Sequence, residues 1–215
     1  MIDSTAIYIS ANVEDEAFEH KMRLCLQCSC NGLPIISVTR KSINLGLNIC
    51  VGKKPVSYRN AFRQLLIGLR TATTKYCHAA ISDFLYPPEY FMFQPFTDDG
   101  YFKYTNVWIL HGWVGKNTGT GYWQKHNPDG AMACNRLCWI AHLEKCFKDD
   151  DWNDPTDPPE PFATEALYSW STPNPVISIK TDKQLNKYTS IEKYTVESLP
   201  YWGEAIALRK ELLGV

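Results

Sequence analysis

Short apolar runs alternate with longer amphipathic segments over the first 82 residues, and this alternation constrains the fold more than any other feature. Apolar runs at 6–10, 34–39 and 78–82 predict three buried strands. The segments between them, 14–29 and 56–72, predict helices because their apolar side chains recur three and four residues apart. Strands joined through helices pair in parallel by right-handed crossovers. We therefore expect an α/β fold with a mostly parallel sheet flanked by helices.

The second helix and the cysteine pattern support this interpretation. Ser57 precedes the helix and is a favourable N-cap residue. Cys25 and Cys28 are predicted on the apolar side of the first helix, where cysteine serves as a small hydrophobe. A second Cys-x-x-Cys pair is absent from the sequence, so reduced thiols are expected rather than a structural zinc site.

The second half of the sequence is less regular. Residues 101–110 predict one strand, 119–130 a turn-rich loop, and 131–147 a buried helix. A last strand is predicted at 176–180, followed by a polar tail. We expect a single domain over residues 1–215, with an irregular second half.

Composition excludes some classes of partner. The chain is 45% hydrophobic and 21% charged with a net charge of −1, so it has no general electrostatic drive toward nucleic acid or membranes. It lacks an apolar stretch of about 20 residues, and its first residues do not resemble a signal peptide. We expect a cytoplasmic protein without a membrane span.

Asp83 is the most prominent candidate for chemistry in the first half. Ligands of parallel α/β sheets bind beyond the carboxyl ends of the strands, and Asp83 follows the third predicted strand. It is either a nucleotide or metal ligand, or a cap for the turn at 87–91. Since Gly-x-Gly-x-x-Gly, P-loop and Gly-x-Ser-x-Gly motifs are absent from the sequence, dehydrogenase, ATPase and hydrolase interpretations lose support. An α/β half with a carboxylate at a strand end, followed by an irregular half with an acidic loop, suits a nucleotide-sugar site.

Several segments, in order, resemble the GT-A-fold glycosyltransferases near family 2, of the bacterial and phage type. "LPIISVTRKSINLGLNICVG" is similar to their Pro-Ile strand and following turn, and "SYRNAFRQLLIGLRTATTKY" to a helix with a central Gln-Leu-Leu-x-Gly-Leu. "SDFLYPPEYFMFQPFTDDGYFKYTNVWIL" resembles their acid, Leu-Tyr-x-Pro and Asn-Val-Trp segments. "CNRLCWIAHLE" and the Glu-Pro pair at 160–161 have counterparts too.

The resemblance implies a GT-A-like, Rossmann-like fold in which residues 1–100 bind a nucleotide-sugar, most simply a UDP-sugar, and residues 101–215 face the acceptor. Glu160 is then the candidate general base, with an ordinary solvated acid as the alternative, and Asp83 holds the leaving group. The implied donor-binding residues are Ser10, Ala11, Asn12, Thr39, Arg40, Gln64, Asp83 and Lys180. The implied acceptor-binding residues are Asn106, Trp108 and Trp123, with core packing as the alternative for the two tryptophans.

Two departures concern the metal site. The family's acidic triplet, which helps to hold Mn²⁺ or Mg²⁺, is here Ile81-Ser82-Asp83, and Lys180-Thr181-Asp182 lacks the family's nearby histidine. Asp83 is thus the remaining metal-ligand candidate, and Lys180, Lys183 or Arg40 are alternative carriers of positive charge.

The acceptor and the rival functions stay open. The phage-type resemblance makes a hydroxymethylated pyrimidine in DNA a candidate acceptor, which would place the protein in the host cytoplasm. The basic segment 41–59 would support this acceptor if it formed a surface patch. The rivals are a catalytically degenerate nucleotide- or glycan-binding protein and a nucleotidyltransferase, the latter disfavoured because "SANVEDE" replaces a Gly-rich basic loop.

Overall fold

A computed structural model describes residues 3–113, 119–125, 130–147, 151–154, 167–181, 183 and 195–214. Its helices are α1 (Glu16–Cys30), α2 (Tyr58–Thr71), α3 (Pro88–Met92), α4 (Arg136–Cys146) and α5 (Ala205–Leu213). Its strands are β1 (Ser4–Ser10), β2 (Ile35–Thr39), β3 (Leu47–Cys50), β4 (Tyr76–Ile81), β5 (Phe84–Leu85), β6 (Tyr101–Tyr104), β7 (Val107–His111), β8 (Tyr122–Gln124), β9 (Met132–Asn135), β10 (Leu167–Trp170), β11 (Val176–Lys180), β12 (Thr195–Val196), β13 (Ser198–Leu199) and β14 (Gly203–Glu204).

The larger sheet has seven strands in the order β10-β6-β9-β4-β1-β2-β3. β1 pairs in parallel with both β2 and β4, and β2 pairs in parallel with β3. β9 alone among these strands runs antiparallel to its neighbours, β4 and β6. The predicted α/β fold with a mostly parallel sheet flanked by helices is confirmed.

Helices cover both faces of this sheet because side chains alternate along β1. Ile7 and Ile9 pack with α2 and α4 on one face, and Ala6 and Tyr8 pack with α1 on the other. The approach of α2 is close. A Cβ atom at Gly68 would lie 2.4 Å from Cγ2 of Ile7, so glycine allows this close approach and a larger residue would have to displace Ile7.

A second sheet has five strands in the order β12-β8-β7-β11-β5. β7 and β11 pair in parallel, and β5 and β8 flank them as antiparallel strands. A third hydrophobic cluster joins this sheet to α1 and α5.

Very short connections link the two large sheets. Ser82 and Asp83 alone join β4 of the larger sheet to β5 of the second one. Thr105 and Asn106 likewise join β6 to β7. The prediction of one strand over 101–110 is therefore wrong, because the segment leaves one sheet at Tyr104 and enters the other at Val107.

Three other predictions for the second half also need correction. The predicted loop at 119–130 contains β8, and the predicted helix at 131–147 begins only at Arg136, after β9. Asn135 ends β9 and caps α4, its Oδ1 accepting the N–H groups of Leu137 and Cys138. The polar tail expected after 180 includes the helix α5.

The first helix matches its prediction except at one cysteine. Cys25 is half-buried, but Cys28 is exposed, so only Cys25 lies toward the apolar face as expected. No described helix is both long enough and apolar enough to cross a membrane.

Candidate functional site

A cavity of about 230 Å³ lies at the carboxyl ends of β1, β2 and β4, where the parallel topology predicts a ligand site. Residues from both halves of the sequence line it. Six of the predicted donor-site residues are among them: Ser10, Ala11, Arg40, Gln64, Asp83 and Lys180. The other two, Asn12 and Thr39, lie behind the lining.

Asn12 joins the ends of β1 and β2. It adopts a left-handed conformation (φ 48°), which asparagine tolerates better than most residues. Its Oδ1 accepts the backbone N–H groups of Arg40 (2.9 Å) and Lys41 (3.0 Å), and its Nδ2 donates to Glu19 (2.8 Å). Asn12 therefore shapes the site from behind, and the guanidinium of Arg40 is held nearby by the carbonyl oxygen of Ala11 (2.9 Å).

Gln64 fixes α2 to the same two strands. Its Nε2 donates to the carbonyl oxygens of Ser10 (3.0 Å) and Val38 (2.9 Å). The buried Thr39 hydroxyl donates to Lys41 O (2.6 Å) and accepts from Nδ2 of Asn48 (2.9 Å). Gln64 therefore ties α2 to the carboxyl ends of β1 and β2, which border the cavity.

The question of whether Asp83 caps a helix is decided by α3, whose N-cap is Pro87 with no side-chain cap hydrogen bond. Asp83 instead lies in the turn between β4 and β5. Its carboxylate Oδ2 is 3.6 Å from Nζ of the buried Lys180, and its carbonyl oxygen accepts the N–H of Ile179 (2.7 Å). The cap alternative is therefore wrong, and Asp83 faces the cavity beside a lysine.

Basic side chains outnumber acidic ones around the cavity. Among the described residues, the cavity is lined by two acids, Glu14 and Asp83, and by five basic side chains, here called the basic cluster: Arg40, Lys54, Lys125, Lys180 and Lys183. The ring centroid of Phe84 lies 5.0 Å from Nζ of Lys125 and 5.9 Å from Nζ of Lys180. This excess of positive charge suits an anionic ligand such as a diphosphate.

Large aromatic side chains form an apolar part of the lining, here called the apolar wall. It includes Tyr58 and Phe62 of α2, Trp139 of α4, and Trp152. Nζ of Lys54 lies 5.3 Å from the centroid of the Trp152 ring. A cavity lined by both cationic and aromatic side chains can accept a phosphorylated ligand that also carries a planar or apolar group.

The predicted acceptor-binding residues are not among those lining the cavity. The amide of Asn106 donates to Thr172 O (3.0 Å) and accepts from the indole N–H of Trp108 (2.9 Å). Trp108 packs into the third hydrophobic cluster. Trp123 is 1% exposed and packs edge-on against His111. Core packing, the alternative for the two tryptophans, describes what they do in this structure.

Glu160 lies outside the described residues, so its predicted role as general base stays a prediction. Three residues that line the cavity were not predicted from the sequence: Lys54, Lys125 and Glu14. Lys125 directly follows β8, in a segment predicted to be a loop. Only the return of β8 to the second sheet brings it to the site, and no local pattern indicates that pairing.

The residues beside Asp83 do not fit a divalent cation. Mg²⁺ and Mn²⁺ sites use several oxygen ligands, usually with more than one carboxylate. In the described part of the chain, no group of three or more His, Cys, Asp or Glu side chains is placed to hold a metal ion. Electrostatic repulsion between the Lys180 ammonium and a divalent ion about 5 Å away would amount to roughly 7 kcal/mol at an effective dielectric constant of 20.

Comparison with known proteins places the chain in no family: no family model and no curated protein matches it. Several solved structures are similar. The catalytic domain of Drosophila beta1,4galactosyltransferase 7, in complex with xylobiose, matches with a TM-score of 0.40 and 11% identity over 66% of this chain. The chain spans about half of that domain (52%).

Two further structures match over more of their length. The inositol-1-phosphate CTP transferase from T. maritima has a TM-score of 0.49 and 13% identity, with 96% of each chain covered. A mycobacterial protein has a TM-score of 0.44 and 9% identity, covering 85% of this chain and 68% of its own. Because these three TM-scores are below 0.5, function has to be argued from the site itself.

Proposed function

We propose that the protein is a transferase that moves a sugar from a nucleotide-diphosphate donor, with a UDP-sugar as the first choice, to an acceptor hydroxyl. The observation that carries this proposal is the cavity at the carboxyl ends of β1, β2 and β4. Among the described residues, basic side chains outnumber acidic ones in its lining, and aromatic side chains line it as well. A nucleotide-sugar needs both, because its diphosphate is anionic and its base is planar.

Within this proposal the basic cluster holds the diphosphate and Ser10 and Ala11 border the nucleoside. Transfer breaks the bond between the sugar carbon and the phosphate oxygen, and the electron pair leaves with the nucleoside diphosphate. The acceptor oxygen forms the new bond to the sugar carbon, and its proton passes to a general base, for which Glu160 remains the candidate.

The test is release of free nucleoside diphosphate from a panel of UDP- and GDP-sugars, with and without acceptors. We expect one donor to give release above a heat-inactivated control. Variants of Gln64 and Arg40 should reduce that release, because both residues line the cavity. If the chain binds donors but every combination is silent, the rival of a catalytically degenerate binding protein replaces this proposal.

DNA as the acceptor is a finer proposal. In the basic segment 41–59, Lys41 and Lys53 are exposed, whereas Arg40 and Lys54 line the cavity next to them. Arg59 is buried and pairs with Asp154 (3.0 Å). Of the basic side chains in this segment, two exposed lysines, Lys41 and Lys53, are therefore placed to contact DNA. The test compares transfer to matched oligonucleotides with hydroxymethylated and unmodified pyrimidines; equal or absent transfer would exclude this acceptor.

The nucleotidyltransferase rival is tested in the same preparations. Nucleoside triphosphates are offered together with sugar phosphates, and pyrophosphate is measured. Pyrophosphate release combined with no cleavage of nucleotide-sugars would favour the rival over sugar transfer.

A further inference from the structure

Lys125 and Lys180 both line the cavity and lie on or directly after strands on either side of β7 in the second sheet. Lys125 follows β8, and Lys180 is the last residue of β11. Both are buried, at 8% and 5% exposure. Long charged side chains are rarely this buried, and both of these line the cavity, where a bound anion would contact them.

The backbone fixes both lysines in place. The N–H of Lys125 donates to Val107 O (2.8 Å), and the carbonyl oxygen of Lys180 accepts the N–H of Gly112 (2.7 Å). The second sheet thus sets the origin of both side chains. Only the side-chain torsions remain to be ordered when an anion binds.

The Phe84 ring, which lies near both ammonium groups, is also held in place. Gly130 passes so close that a Cβ atom there would lie 2.9 Å from Cζ of Phe84 and 2.7 Å from Cδ1 of Ile81. The ring face stabilises the ammonium charge while leaving its N–H groups available to oxygen acceptors.

Asp83 completes the arrangement. Its carboxylate lies 3.6 Å from Nζ of Lys180, which makes it a positioning residue for that ammonium group. The same ammonium group that Asp83 positions would repel a divalent ion beside Asp83. The arrangement therefore favours buried ammonium groups over a metal ion at this place.

We infer that Lys125 and Lys180 bind the diphosphate of the donor directly, and that this site works without a divalent cation. The inference rests on the proposed function and names the groups that stabilise its leaving group. As the bond between the sugar carbon and the phosphate oxygen breaks, negative charge grows on the diphosphate. The two ammonium groups neutralise that charge through N–H···O hydrogen bonds, with no oxidant or further reactant.

The test measures binding of uridine, UMP and UDP to the full chain by calorimetry, in EDTA and then with Mg²⁺ or Mn²⁺, and repeats it with the guanosine series. Variants are Lys125→Met, Lys180→Met, Lys180→Arg and Asp83→Asn. Lys75→Met is the matched control. Lys75 lies just before β4, at the end of that strand away from the cavity, and pairs on the surface with Asp98 (3.0 Å).

UDP or GDP should bind in EDTA, and divalent ions should change the Kd by less than about threefold. Each Lys→Met change should weaken diphosphate binding by about tenfold or more and leave nucleoside binding unchanged, which also reports that the variant is folded. Lys180→Arg should recover part of the loss. Asp83→Asn should keep most of the binding, since the ammonium groups remain.

Binding that requires Mg²⁺ or Mn²⁺ and is abolished by Asp83→Asn would overturn this inference while leaving the proposed function intact. An equal loss in Lys75→Met would overturn it as well, because the effect would then reflect overall charge. If no nucleotide binds under either condition, the proposed function fails together with the inference.

Discussion

Two buried histidines make the stability of the fold dependent on pH. Burial lowers the pKa of His78 to about 4. Burial, then the charges of Lys180 and Arg209, lower the pKa of His111 to about 4. Unfolded histidine has a pKa of about 6.5, so between pH 6.5 and 4 the unfolded chain binds more protons than the folded one. The fold therefore has the full contribution of its neutral histidines above pH 6.5, and its free energy of unfolding decreases as the pH falls from 6.5 towards 4.

The magnitude follows from the two pKa values. Lowering the pH from 7 to 5 should reduce the free energy of unfolding by about 2 kcal/mol for each histidine. The assay is urea unfolding at both pH values, followed by circular dichroism. His78→Gln and His111→Gln should each lose about 2 kcal/mol less than the wild type over this interval. The remaining titrating groups are common to all three proteins, so they cancel in the comparison.

The control is His20→Gln, since His20 is exposed. It should show the same pH dependence as the wild type. If His78→Gln and His111→Gln also retain the full wild-type dependence, the two buried imidazoles are not the groups that destabilise the fold in acid, and the reasoning from burial is refuted.

Three further predictions concern α2, and urea unfolding checks each. Gln64→Met should lower the free energy of unfolding by about 2–4 kcal/mol, because two buried carbonyl oxygens lose their donor. The control, Gln124→Met on the exposed end of β8, should lower it by less than about 0.5 kcal/mol. Similar losses in the two variants would contradict the hydrogen-bond argument. Gly68→Ala should destabilise by about 1–3 kcal/mol despite the better helix propensity of alanine, because its Cβ meets Ile7; a stabilised variant would show that the sheet yields. Ser57→Ala should cost about 1 kcal/mol, since the hydroxyl accepts the N–H of Asn60, and an unchanged stability would rule out that cap.

The first half of the fold was predictable because its signals are local. The stripe of α2, the Ser57 cap and the apolar runs of β1, β2 and β4 each depend on residues near in sequence, and all were confirmed. Prediction of the second half failed where the fold depends on pairing between strands that are distant in sequence. Residues 101–110 alternate like one strand, yet the break at Thr105 and Asn106 sends its two ends to different sheets.

The site divides in the same way. Ser10 ends a predicted parallel strand, and Arg40 and Asp83 directly follow two others, so the rule for strand ends predicted them at the cavity. Lys54 and Lys125 follow no such strand. Their positions depend on the approach of the second sheet and of the segment before α2, which no periodicity in the sequence reports.

The short links at Ser82–Asp83 and at Thr105–Asn106 have a mechanical consequence. With so few residues in each link, the larger sheet and the second sheet cannot move apart without breaking strand pairs near the links. Arg40 comes from one sheet and Lys180 from the other, and both line the cavity. The spacing between these charges is therefore set when the chain folds, and an anion that bridges them should make the two sheets unfold as one unit.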